Sequence, residues 1–185
     1  MGMFPGQIPW DVILIIMSAI AAICALQLAG GLDYLVRIAE NILRKNPKHI
    51  NYLAPTVTYF LTILAGTGHT AFSMIPVIVE VAKSENIKPS VPLSIAVVAS
   101  QIGITASPVS AAVVAMSGFL EPYGVNYPTL LAICISTTFV GVMITAFIMS
   151  TFANNDLSSD PVYQERLAAG HVAPPREKST DFHLK

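Results

Sequence analysis

Four stretches of this chain contain no Asp, Glu, Lys or Arg: residues 12–32, 49–79, 89–120 and 122–155. Each exceeds the roughly 20 residues an α-helix needs to cross about 30 Å of hydrocarbon. Such a pattern predicts an all-α polytopic membrane protein. Charged residues make up only 11% of the chain, against about 25% in soluble domains. The net charge of −1 mixes both signs, so nucleic acid is excluded as a partner and the lipid bilayer takes its place. Cys24 and Cys134 lie in apolar runs and read as small hydrophobic residues, with no disulfide framework. No cofactor is expected. The first eleven residues, MGMFPGQIPWD, lack a basic segment, so a cleaved signal peptide is not expected; they lead to Trp10, an aromatic suited to the interface.

The first apolar run predicts a span over 8–31, stopped at Gly30-Gly31. Residues 33–48 alternate Leu35, Ile38, Ala39, Ile42 and Leu43 with Arg37, Glu40, Arg44 and Lys45. That is helical spacing with one polar face: an interfacial amphipathic helix, or an ordinary connector, closed by Asn46-Pro47. Four of the ten basic residues lie between Arg37 and Lys48. The positive-inside rule puts them in the cytoplasm and the N-terminus outside. Lys83 and Lys88 mark a second cytoplasmic loop, whereas Glu121 to Pro128 has no basic residue and carries Tyr123 and Tyr127, suited to the outer interface.

Residues 50–79 as one helix would measure about 45 Å, far too long for the usual tilt of about 20°. A single crossing would also put Lys83 and Lys88 outside. A turn at Gly66-Thr67-Gly68 removes both conflicts, so residues 50–82 are expected to form a re-entrant helical hairpin. Residues 91–120 must cross, joining cytoplasmic Lys88 to outer Glu121. Pro108 interrupts them and biases Ser107 away from helical angles. A broken span follows, with Ser107 as N-cap and Pro108 as first residue of the second piece. The last span covers 129–153, and residues 154–185, with five acids, Arg166, Arg176, Lys178, Lys185 and several prolines, read as a cytoplasmic linker or tail.

Irregular backbone at membrane depth is tolerated where protein or a water-filled cavity covers it. A hairpin tip and a helix break are the two devices with which transporters build a midplane site. Helices starting near Thr70 and Pro108 offer unpaired N–H groups to an anion. Helix ends near Gly66 and Ile104 offer carbonyls to a cation such as Na⁺. Thr67, Thr70, Ser73, Ser100, Thr105, Ser107 and Ser110, with Gln101, can complete either shell. Each also has a plainer role: Ser and Thr in membrane helices commonly bond back to their own helix or join neighbours. His69 is either an intramembrane functional group or a neutral, hydrogen-bonded turn residue.

The segments LAPTVTYFLTILAGTGHTAFSMIPVIVEVAKSENIKPSVPLSIAVVASQIGITASPVSAAVVAMS and LSSDPVYQERL resemble the anaerobic C4-dicarboxylate (Dcu) transporter family over about residues 9–167. GTG, TASPVSAAVV and LSSDPVY fall in the family's order. The resemblance implies a bacterial inner-membrane carrier of fumarate, succinate, malate and aspartate. Such carriers work by antiport or by H⁺- or Na⁺-coupled uptake. It further implies one of two inverted repeats, with Gly66, Thr67, Gly68 and His69 as the hairpin tip and Ser100, Gln101, Thr105, Ser107, Pro108 and Ser110 in the unwound helix. Asn can stand at the position of His69 in the family, which argues against an obligate proton relay there.

Family members are more than twice as long. The expectation is therefore that this chain holds half of a site, lacks the second transporter half, and does not transport alone. Self-association is left open. The other readings are a membrane scaffold or sensor partner, and a membrane enzyme. For the enzyme the sequence offers no nucleophile motif and no acid beside His69.

Overall fold

A computed structural model describes residues 10–153 and 156–170. The N-terminal loop read at 1–9 and the tail's Arg176, Lys178 and Lys185 lie outside the described residues. The described chain is helical throughout: α1 Trp10–Leu28, α2 Gly31–Lys45, α3 Ile50–Ala65, α4 Thr70–Ser84, α5 Ser90–Gly103, α6 Ala111–Leu120, α7 Tyr127–Phe152 and α8 Pro161–Ala168. Among the described residues the sole β-type contact is an isolated bridge from Ile87 to Asp156.

Apolar runs become helices here, and their ends follow from glycine and proline. Gly30 and Gly66 both take the left-handed conformation, with φ of 74° and 68°, which an L side chain resists. They stop α1 and α3 where the sequence placed stops. At 26 residues α7 is long and apolar enough to cross a membrane, and α5 with the 3₁₀ turn Ile104–Ala106 does so jointly with α6 as a pair bent by 41°. Along α7 only Leu130, Val142 and Ala146 are buried. Its outward Ile133, Val140, Ile144 and Phe147 are more than half exposed, the surface lipid would cover.

The core lies where α2, α3, α4 and α5 meet: Ala39 and Leu43 of α2 pack with Ile50, Ala54 and Leu61 of α3, Met74, Ile78 and Val81 of α4 and Ala96 of α5. The amphipathic stripe of α2 is thereby divided. Leu35, Val36, Ala39 and Leu43 face protein, while Ile38 and Ile42 stay exposed. A second cluster joins Tyr59 and Ile63 to Ala99, Ala106 and Val142. The Tyr59 hydroxyl lies 2.7 Å from Thr138 Oγ1 and 3.1 Å from Ile135 O, tying α3 to α7.

Two features differ from the sequence expectations. The helix that follows the bend, α6, starts at Ala111, with Ser110 as N-cap, not at Pro108 with Ser107 as cap. Ser107 N–H donates to Ile104 O and Ser110 N–H to Ser107 O, so residues 107–110 form a turn of their own before the helix begins. The second difference is the supposed linker. Residues 156–170 dock against the α4–α5 loop, burying Leu157. Leu157 N–H donates to Asn86 O, Asn86 Nδ2 donates to Asp156 and Ser158, and Lys88 pairs with Asp160. Asp160 also caps α8, accepting from Val162 N–H and Tyr163 N–H, with Pro161 at the first helical position.

Candidate functional site

The two irregular stretches, residues 66–69 and 104–110, lie at one level because three helices run similar distances from one end of the molecule. That end carries the charges: α2 finishes and α3 begins there, Arg44 of α2 makes two 3.0 Å bonds to Glu80 of α4, and Lys88 meets Asp160 beside the start of α5. From it α3 extends 16 residues, α4 returns over 15, and α5 extends 14. At 1.5 Å per residue those are lengths of about 21–24 Å, so the α3–α4 turn and the α5 break are level.

Small residues let them touch. A Cβ on Gly103 would lie 3.1 Å from Tyr59 O and 3.3 Å from Thr62 Cβ, so α5 lies against the backbone of α3 itself. A Cβ on Gly68 would lie 2.7 Å from Gln101 Nε2, which puts the α3–α4 turn directly beneath the Gln101 side chain.

Hydroxyls then tie the parts together. Thr62 Oγ1 lies 2.7 Å from Ser100 Oγ and 3.0 Å from Thr70 Oγ1, and all three residues are buried. Ser100 Oγ lies 3.2 Å from Gly68 O, and Thr70 Oγ1 3.2 Å from Thr67 O. Ser107 Oγ donates to Ile63 O at 2.7 Å, fixing the break to α3. Thr58 Oγ1 lies 3.0 Å from Ala96 O. Neutral hydrogen bonds of this kind are worth about 1 kcal/mol each net, more where a partner would be stranded in a water-free interior.

The residues singled out in the sequence thus fall into two groups. Gly68, Thr70, Ser100, Ser107 and Ser110 are buried, and the hydroxyls of Thr70, Ser100 and Ser107 are occupied within the protein. His69, Gln101, Thr105 and Pro108 are exposed, with Gly66 and Thr67 partly so. Thr105 bonds back to Ile102 O, His69 stands beside Phe72 with ring centroids 6.0 Å apart, and Ser73 is exposed one turn along α4. Gln101 makes no hydrogen bond among the described residues, leaving both amide donors and its carbonyl free. Pro108 O accepts from the Tyr127 hydroxyl.

The backbone is similarly unequal. Neither α4 nor α6 has a side-chain cap on its first turn, but in α4 Ala71 N–H and Phe72 N–H already donate to Gly68 O and His69 O, so the uncapped first turn with open donors is that of α6. Several carbonyls offered to a cation are engaged: Ile63 O by Ser107, Gly68 O by Ser100 and Ala71 N–H, Ile104 O by Ser107 N–H. Among the described residues no group of three or more His, Cys, Asp or Glu is placed to hold a metal.

Thr62, which joins the first residue of α4 to α5, escaped the sequence reading. Its signal was there: Thr58 and Thr62 stand four apart in α3, on one helical face, ahead of Gly66.

The family model described as anaerobic C4-dicarboxylate membrane transporter matches residues 1–185. The C4-dicarboxylate transporter DcuA of Wolinella succinogenes is 73% identical over 93% of this chain and 40% of its own length. Helicobacter pylori (strain 26695) DcuA is 66% identical over 100% of the chain and 42% of its own. Escherichia coli K12 DcuA is 53% identical over 98% and 42% respectively. No solved structure matches. These relatives carry the names of transporters, not of enzymes, and the chain spans about two fifths of their length. With a match along its whole length and identities of this size, the chain belongs to the anaerobic C4-dicarboxylate membrane transporter family.

Proposed function

We propose that this stretch forms one repeat of a secondary transporter and contributes one half of a C4-dicarboxylate site, at the α3–α4 turn and the α5–α6 break. The observation that carries the reading is the α3–α4 turn packed beneath a free amide, Gln101, whose two N–H donors stand three residues ahead of the α5 break, in a chain whose relatives are named for C4-dicarboxylate transport. A carboxylate of fumarate, succinate, malate or aspartate suits those donors. Thr62, Thr70, Ser100 and Ser107 hold the frame, while Thr67, His69, Gln101 and Thr105 face the substrate.

In this reading α3 and α4 are a re-entrant hairpin, α5 and α6 a broken span, and α1 and α7 full spans. The charged end, with Arg37, Arg44, Lys45, Lys48, Lys83, Lys88 and Arg166, faces the cytoplasm, as the positive-inside rule favours. The N-terminus is then outside and the membrane is the bacterial inner membrane. Transport proceeds by exchange or by uptake coupled to H⁺ or Na⁺. A dicarboxylate has two charged ends, and a second repeat supplies the donors for the other.

The test is labelled fumarate uptake by a transporter of the relatives' full length that contains this stretch. Gln101→Ala and Thr67→Val should each lower uptake about tenfold, the loss of one charge-assisted hydrogen bond, with membrane insertion unchanged. Full uptake by both variants would refute the site. Cells expressing only residues 1–185 should show no saturable fumarate uptake; clear uptake would refute the half-site reading.

A further inference from the structure

At the charged end, away from the α3–α4 turn, an open surface cavity of about 250 Å³ lies between the end of α4, the start of α5 and the docked 156–170 segment. Its charged lining is Lys83, Lys88, Asp160 and Arg166. Lys88 is paired with Asp160. Lys83 and Arg166 have neither ion pair nor hydrogen bond among the described residues, so the cavity retains two unanswered positive charges. Tyr163 lines the same cavity, and its phenolic oxygen is buried without a hydrogen-bond partner. A buried hydroxyl left unmatched in a native fold calls for an explanation, and an unseen ligand is among the ordinary ones. Ser90, also on the wall, is the first residue of α5; with Pro89 and Pro92 lacking an N–H and Val91 N–H donating to Lys88 O, it brings a hydroxyl and a single backbone amide.

Two cations, a buried phenol donor and the Ser90 hydroxyl on one cavity match the needs of a phosphate group: charge and directed hydrogen bonds. Leu157 and Val162 add apolar wall. The segment follows four residues after Phe152, the 82% exposed last residue of α7, where a lipid-facing helix leaves the bilayer. Basic pockets at the cytoplasmic ends of membrane helices are where anionic headgroups bind.

We propose that this cavity is a binding site for a phosphate-bearing anion, supplied by the headgroup of an anionic phospholipid, which joins the docked segment to the hairpin base. The site lies apart from the dicarboxylate half-site. Its test uses no dicarboxylate, so its failure and the failure of that reading are separate results.

The experiment is lipid retention by native mass spectrometry, paired with thermal unfolding, on the chain purified in neutral detergent. The additions are phosphatidylglycerol, phosphatidylcholine or inorganic phosphate. Phosphatidylglycerol should be retained and raise the unfolding midpoint by about 3 °C or more, and phosphatidylcholine should not. Lys83→Gln with Arg166→Gln should reduce phosphatidylglycerol retention by about tenfold or more, the effect of two basic residues at a membrane surface. Tyr163→Phe should weaken retention by a smaller factor without lowering stability in lipid-free detergent, a result that separates ligand contact from packing. It also serves as the test if the double variant fails to fold. Stabilisation by inorganic phosphate alone, lost in the variants, would keep the phosphate site and overturn the lipid source. Equal response to both lipids, or undiminished phosphatidylglycerol retention by the variants, would overturn the site.

Discussion

The two ends of the α3–α4–α5 unit solve one problem with different chemistry. At the charged end, Arg44 meets Glu80 and Lys88 meets Asp160, between side chains that water reaches. At the other end not one hydrogen bond in the network is charged: Thr62, Thr70, Ser100 and Ser107 use hydroxyls and carbonyls alone. Burying an ion costs several kcal/mol before any pairing, so neutral groups are the inexpensive way to fix irregular backbone away from water. Ion pairs in water contribute little to stability, but they tolerate movement. The neutral end should therefore be the sensitive one, and the charged end the forgiving one.

The strongest way to break that contrast is Gly103→Leu. A Cβ there already crowds Tyr59 O at 3.1 Å, and a full side chain must push α5 off α3. A loss of about 3 kcal/mol or more is expected from overpacking at a rigid backbone contact, read as lost folded protein in detergent. Gly68→Ala is the informative control, because its nearest neighbour is the movable end of Gln101; folding should survive. Next in size is Thr62→Val, which strands Thr70 and Ser100 but leaves them Thr67 O and Gly68 O as alternatives. A cost of about 1–2 kcal/mol is expected, measured by thermal unfolding. At the charged end a double-mutant cycle on Arg44 and Glu80 should give a coupling of about 0.5 kcal/mol, vanishing in high salt.

The smallest effect is acidic. Hydrogen bonds from Ser158 hold the Asp156 carboxyl below its ordinary value, and Lys88 does the same for Asp160. Groups with a depressed folded pKa stabilise above their unfolded pKa, and that contribution is lost as pH falls through the folded value. Docking of residues 156–170 should thus be insensitive between pH 5 and 8 and loosen only below about pH 4, measured as proteolytic release of the segment. Release at pH 6 would show that these two carboxylates do not hold it.

Much of this was legible in the sequence, for reasons that can be named. Charge-free length and the two glycines of GTG are local signals, so the stops at Gly30 and Gly66 and the start of α4 at Thr70 agree with the sequence expectations. The start of α6 did not, because Ser107 is claimed by Ile63 O on another helix, and no local rule for Ser-Pro anticipates a tertiary acceptor. Thr62 was passed over for the same reason: a threonine within an apolar helix looks like its neighbours until its partners on α4 and α5 are known. The docked segment was read as linker from its polarity, although Asp160-Pro161 was a sound cap followed by a helical start.

The matched reach of α3 and α5 has a last consequence, which concerns phase. Both helices measure depth from the charged end in steps of 1.5 Å, and each step also turns the side chains by about 100°. One residue inserted into α5 ahead of Ser100 would hardly change how deep the break lies. It would swing Ser100 away from Thr62 and bring a bulkier residue to the place Gly103 occupies against Tyr59. For this pair of helices depth and rotation are one variable. Evolution can exchange side chains along them one at a time, but it can change their length only in whole turns.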